Sequence, residues 1–149
     1  MEITITIKLN EGEFDKPKVD VKVEPEETRK DEPSRYARFF DESSPNWHTS
    51  SEYNKLFILS TMDYMNGLLR ARGHVFLNEV YDALGIPRSS EGQVVGWIYN
   101  EENPVGDNYI DFGFGEDQRT ALCSGKISGV LLDFNVDGII VDHIWKEEL

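Results

Sequence analysis

Cysteine is all but absent. Cys123 stands alone, which excludes an intramolecular disulfide and any zinc site built mainly from thiolates. With no histidine beside it and no nucleophile signature around it, Cys123 reads as a small buried or half-buried residue. No apolar run approaches the ~18 residues that a bilayer span requires. The N-terminal MEITITIKLN lacks a basic region ahead of an apolar one, so no targeting segment is expected and a cytoplasmic setting is implied. A GxSxG elbow, a Gly-rich phosphate loop and a Cys/His arrangement are all missing, and enzymatic activity is not the expectation. No cofactor is expected either.

Basic residues are scarce where acids are dense. From Glu91 to Leu149 there are 12 acidic and 3 basic side chains, whereas Met1 to Ser50 carries 12 and 8. The formal charge of −13 is therefore concentrated in the C-terminal third. Such a field disfavours direct contact with a nucleic-acid backbone, which depends on Lys and Arg displacing counterions. It suits solubility, cations or a basic protein surface as partner.

What is present begins with strict alternation. Ile3, Ile5, Ile7 and Leu9 share one side of a strand, and Val19, Val21 and Val23 one side of a second, so residues 1–24 are expected to form a β-hairpin. A lone hairpin is marginal in water, which raises the prospect of a homo-oligomer formed through it. Residues 25–50, rich in proline and mixed charge, read as a linker or extended arm. Four aromatics within it, Tyr36, Phe39, Phe40 and Trp47, are out of character for a spacer and are candidate contacts, either with the chain's own domain or with a partner.

Residues 51–149 are expected to form a compact α+β domain. Ser50 or Ser51 offers an N-cap, Ile58, Met62, Met65 and Leu69 recur at helical spacing, and Gly73 suits the helix end. Leu77, Val80, Tyr81 and Leu84 define a shorter helix closed by Gly85 and Pro87, giving an αα-hairpin. The runs QVVGWIY, NYIDFGFG, ISGVLLDFNV and IIVDHIW then read as four strands, with GEDQRTALCSGK as a polar connection. The expected architecture is thus α+β: an N-terminal β-hairpin and arm, then an αα-hairpin packed on a four-stranded antiparallel meander.

The segment DFNVDG opens like a calcium loop, with Asp133, Asn135 and Asp137 at alternate positions before Gly138. Position 12, where a bidentate Glu belongs, is Ile144, and the flanks are β-rich. Asp137-Gly138 is therefore expected to be the turn of a β-hairpin, with calcium binding by Asp133, Asn135 and Asp137 the weaker alternative. His48, His74 and His143 share no metal-ligand spacing. Asp107, Asp111, Asp133 and Asp142 are candidates for a carboxylate cluster on the sheet. Asp107, Asp111, Glu116 and Asp117 are expected to be the partner-binding acids, alongside the four arm aromatics.

The runs LNEVYDALGIPR, VVGWIYNEENPVGDNYIDFG and VLLDFNVDGII, within the block from Leu77 to about Trp145, resemble a family of small uncharacterised proteins encoded by phages and mobile elements of Gram-positive bacteria. The resemblance takes in the long helix but not the N-terminal hairpin or arm, and it brings no catalytic residues. It implies a bacterial host cell, with the virion as a second setting, and an accessory role in virion or DNA-transfer biology or in inhibiting a host system. Three classes follow. The first is a non-enzymatic acidic module that binds a basic protein surface, with inhibition of a host nucleic-acid-binding defence protein as its specific form. The second is an assembly protein tethered through its N-terminal hairpin and arm. The third is a metal-dependent enzyme that uses clustered aspartates.

Overall fold

A computed structural model describes residues 32–148, with side chains followed as far as Ile144. The expected hairpin of residues 1–24 and the first part of the arm lie outside the described residues. The chain runs through β1 (Arg38–Asp41), α1 (Ser51–Arg72), β2 (His74–Phe76), α2 (Leu77–Leu84), a 3-10 turn (Glu91–Gln93), β3 (Val95–Ile98), α3 (Glu116–Cys123), β4 (Gly129–Leu132), β5 (Gly138–Ile139) and α4 (Val141–Glu148). The described residues therefore form a mixed α+β fold with four helices. Two small antiparallel sheets pair β1 with β4 and order β2-β3-β5.

Helix α1 forms where its periodicity places it. Ser50 accepts the Tyr53 N–H at 3.3 Å, and Gly73 closes the helix at φ +88° with its N–H on the Leu69 carbonyl. Its buried face contains Asn54, Ile58, Thr61, Met65, Asn66 and Leu69. Helix α2 follows, with Glu79 reaching back to the Phe76 N–H at 3.0 Å and Gly85 ending it at φ +77°. From sequence the two helices were expected to follow one another directly as an αα-hairpin. Instead β2 pairs there with β3, Val75 opposite Trp97.

The expected meander is replaced by the two sheets, and each departure has a local cause. In the segment from Ile110 to Phe114 the predicted alternation is intact, with Ile110, Phe112 and Phe114 all buried, yet no strand forms. Gly113 adopts φ +70° and breaks the ladder, where its bare Cα passes close to the Asp133 carbonyl. The polar connection GEDQRTALCSGK contains α3, because Glu116 and Asp117 suit the first turn of a helix dipole and Leu122 supplies a buried anchor. The last predicted strand is α4, since Ile140 and Ile144 are four apart and the Ile144 N–H bonds the Ile140 carbonyl.

Residues 38–41, read from sequence as arm, form β1, with Phe40 opposite Val130. Phe40 is fully buried between Phe57 and Trp47, at ring separations of 5.6 and 5.4 Å. Burying such a side chain is worth about 2 kcal/mol, enough to draw a polar segment onto the domain. Tyr81 fastens the same segment by donating its hydroxyl to the Tyr36 carbonyl at 2.7 Å.

With so few ladders, side-chain amides satisfy much of the loop backbone. Asn54 accepts the His48 N–H at 2.9 Å and donates to the His48 carbonyl at 2.8 Å. Asn66 grips Ile110 in the same two-bond manner at 2.8 and 2.9 Å, and Asn78 grips Ser89 at 3.0 and 2.9 Å. Each asparagine stands in for a neighbouring strand, pairing one peptide group's donor and acceptor as a β-bridge would.

Candidate functional site

The DFNVDG segment is not a hairpin turn. Strands β4 and β5 on either side of it pair with different partners, so residues 133–137 cross from one sheet to the other. Gly138 still needs its glycine, at φ +135°. The three oxygen-bearing side chains that resemble calcium ligands are each engaged with protein donors. Asp133 accepts both the N–H and the hydroxyl of Ser34, at 3.0 and 2.6 Å. Asn135 accepts from the Trp97 indole at 2.9 Å and the Asp111 N–H at 2.8 Å, while its amide donates to Asp107 and to the Tyr109 carbonyl. Asp137 accepts the Ile98 N–H at 2.9 Å. A calcium ion would have to displace these bonds, and among the described residues no group of three His, Cys, Asp or Glu is placed to hold a metal.

What the crossover does hold is a loop. From Tyr99 to Asp111 the chain has no strand or helix, yet its backbone is fixed at several points. Asn108, at φ +58°, accepts the Asn100 N–H and donates to the Asn100 carbonyl, closing the loop across its base at 3.0 and 3.2 Å. Asn66 grips Ile110 from α1, Asn135 spans Tyr109 and Asp111, and Asp137 holds Ile98. Between these points Glu101, Glu102, Val105, Asp107, Tyr109 and Asp111 are exposed.

The predicted partner-binding acids divide accordingly. Asp107 and Asp111 are brought together at Asn135, while Glu116 and Asp117 are exposed in the first turn of α3. Asp111 also lines a shallow cleft of about 370 Å³ with Met62, Tyr109, Gly113, Phe114, Gly115 and Arg119. Among the described residues, none of these four acids lies within ion-pair distance of a lysine or arginine. Of the other carboxylates considered, Asp133 belongs to the crossover and Asp142 is exposed on α4.

The aromatic candidates separate by burial. Phe40 belongs to the core and is unavailable to a partner, Tyr36 and Trp47 are half-buried against that core, and Phe39 alone is 61% exposed. Cys123, expected to be buried or half-buried, is exposed, and a hydrogen bond to Glu52 together with that carboxylate's charge holds its thiol above the ordinary range, away from the reactive thiolate. His143, expected on a strand, is exposed on α4.

Sequence reading missed the asparagines. Asn54, Asn66, Asn78, Asn100 and Asn108 carry no periodic signal, and Asn135 looked like a metal ligand. The only available hint was their position: Asn54 and Asn66 share a face of α1 with Ile58, Met65 and Leu69, and Asn78 shares one of α2 with Leu77, Val80, Tyr81 and Leu84.

These features define a small α+β domain that presents a clamped, acidic, partly apolar loop. A family model, described as a family of unknown function (DUF6353), matches residues 5–144, and the chain belongs to that family. No curated protein and no solved structure matches the chain. No helix among the described residues is long and apolar enough to cross a membrane.

Proposed function

We propose that this chain is a non-enzymatic protein-binding module that engages a basic protein surface, with the loop from Glu101 to Asp111 and the first turn of α3 as its contact. The observation that carries this reading is the combination of exposed acids, without an ion-pair partner among the described residues, with a loop backbone fixed in advance. Asp107 and Asp111 need not pay the ordering entropy that a floppy acidic segment would on binding. Val105 and Tyr109, 42% and 44% exposed, supply apolar contact within the same charged frame. The resemblance to phage and mobile-element proteins supports a host protein as the target, and a nucleic-acid-binding defence protein would present the required basic surface.

Capture from bacterial host lysate identifies the partner, and association kinetics then test the reading. The rate is expected to fall steeply between low and physiological salt, since steering is screened over roughly 8 to 10 Å. Neutralising Asp107, Asp111, Glu116 and Asp117 to Asn or Gln is expected to slow association without unfolding the chain. A partner that binds the neutralised variant equally fast, but is lost when residues 1–33 are removed, would replace this reading with the assembly-tether one. The truncation must stop at Pro33, because Phe40 belongs to the core.

A further inference from the structure

Helix α1 is apolar on two sides. Opposite its buried face stand Tyr53, Leu56 and Tyr64, which are 49%, 60% and 62% exposed, where a surface helix ordinarily presents polar groups. Ser60, Gly67 and Ala71 complete the stripe, for at ~100° per residue all six fall within about 80° of one another. Beyond the helix backbone, no atom of the described residues lies within 4 Å of the place a Gly67 Cβ would take, so the surface there is open. The Tyr53 ring is already held in place, stacked on Phe57 at 6.4 Å and against His48 at 4.6 Å. One edge of the stripe carries Glu52, Asp63 and Arg70, all exposed. Glu52 and Arg70 are about five full turns apart, so they lie on one line along the helix with opposite charges near its two ends. Glu52 has only a loose 3.7 Å contact with Lys55, and Arg70 makes no ion pair among the described residues.

We propose that this face is a homodimer interface, in which α1 packs antiparallel against α1 of a second copy about a two-fold axis level with Thr61. A two-fold interface uses the same patch on both copies, so the patch must complement itself. This one does so in charge and in shape. Glu52 meets Arg70 of the second copy, and by symmetry Arg70 meets its Glu52. Tyr53 falls against Gly67 and Ala71 of the second copy, which are small enough to receive a ring, while Leu56 lies between its Tyr64 and Gly67. Asp63 comes beside the Ser60 hydroxyl of the second copy, which can donate to it. The repulsive pair is the two Asp63 carboxylates, about 6 Å apart along the helix axis, against two attractive pairs at the ends. A partner of unrelated sequence would give no reason for an acid and a base to stand symmetrically about the middle of one helix. With a charge of −13 per chain the copies repel at long range, and physiological salt, which screens beyond ~8 Å, removes most of that cost.

The dimer uses none of Asp107, Asp111, Glu116 and Asp117 and stands or falls without any other partner. Sedimentation equilibrium of the full chain at physiological salt, at concentrations up to about 100 µM, is expected to show a species of twice the 17.1 kDa chain. Leu56→Glu places a charge at the centre of the contact and is expected to leave monomer with an unchanged circular dichroism spectrum, since Leu56 is exposed in the single chain. Tyr64→Glu makes the same break should Leu56→Glu fail to fold. Charge reversal then tests the antiparallel register. Glu52→Arg and Arg70→Glu are each expected to weaken the dimer roughly tenfold, because each change acts twice about the axis, and the double reversal is expected to recover to within about threefold of wild type. A wild-type chain that is monomeric at about 100 µM would leave the face to a different partner and overturn the homodimer. A dimer that survives both Leu56→Glu and Tyr64→Glu, or a double reversal no tighter than the single ones, would overturn it equally.

Discussion

Helix α1 and the loop it faces are ordered by different means. On α1, Ile58, Met65 and Leu69 repeat along one face, and any of several apolar residues of similar size would serve at each position. Around the loop, order comes from single amides, each matched to one peptide group, and only an asparagine of the right reach will do. The first kind of order is distributed and tolerant, whereas the second is local and exacting. Where they meet, at Asn66, one residue on the apolar face of a helix carries the loop's Ile110.

The largest expected effect lies at the joint between the two regions. Gly96 occupies the central strand β3, between Phe76 and Gly138, and a Cβ there would come within 2.0 Å of the Val75 carbonyl oxygen. Backbone rather than a movable side chain is in the way. Gly96→Val is expected to cost more than about 4 kcal/mol and to leave little folded protein, as read by circular dichroism and expression level. A well-folded Gly96→Val protein would mean that the three-stranded sheet is not needed to join the two regions.

Next come the two kinds of order set against each other. Leu69→Ala is expected to cost about 3 kcal/mol through the cavity it leaves, lowering protection throughout the domain. Asn66→Ala is expected to cost a similar ~3 kcal/mol, because it strands the buried N–H and carbonyl of Ile110. Asn66→Leu is not expected to recover it, although leucine fits an apolar helix face. Hydrogen exchange distinguishes the variants, with the loss in Asn66→Ala greatest in the segment from Asp107 to Phe114. Rescue by leucine would show that the amide is incidental to the packing.

A smaller effect isolates a clamp from its backbone. Asn108→Gly keeps the φ of +58° accessible while removing both bonds to Asn100. About 1 kcal/mol is expected, measured by denaturant midpoint, with faster exchange confined to residues 100–108.

This division also explains what the sequence made legible. The helices could be read because burial along a regular element repeats with the element's period, as at Ile58, Met65 and Leu69 or at Val80, Tyr81 and Leu84. Ile110, Phe112 and Phe114 were likewise read correctly as alternately buried, but alternation reports which side faces the core and not whether a neighbouring strand completes the ladder. Here Asn66 and the crossover supply the partners instead. Asp137-Gly138 was misplaced for a related reason. The dipeptide signals a positive φ, which Gly138 has, but not whether the strands on either side pair with each other. The exposed acids could be read from composition alone, whereas the fixed geometry of Asp107 and Asp111 depends on contacts with Asn135, 28 and 24 residues away in sequence.

The smallest expected effect uses two adjacent residues that the sequence treats alike. Phe39 and Phe40 are neighbours on β1, so their side chains project to opposite faces, one 61% exposed and the other fully buried. Phe40→Ser removes a core ring that stacks on Phe57 and leaves a hydroxyl in its place, and global unfolding is expected. Phe39→Ser changes a solvated side chain away from any clamp, and its effect on thermal stability is expected to stay within about 0.5 kcal/mol. Phe39 is the one member of the original aromatic set still free to meet a partner as a large exposed ring. If it is a contact, Phe39→Ser will weaken capture of the partner while the denaturation midpoint stays fixed, and the loss will add to that from neutralising Asp107 and Asp111. A partner captured equally well by Phe39→Ser confines the contact to the acidic loop and α3, and a fall in stability comparable to that of Phe40→Ser would show that β1 is anchored through both of its faces.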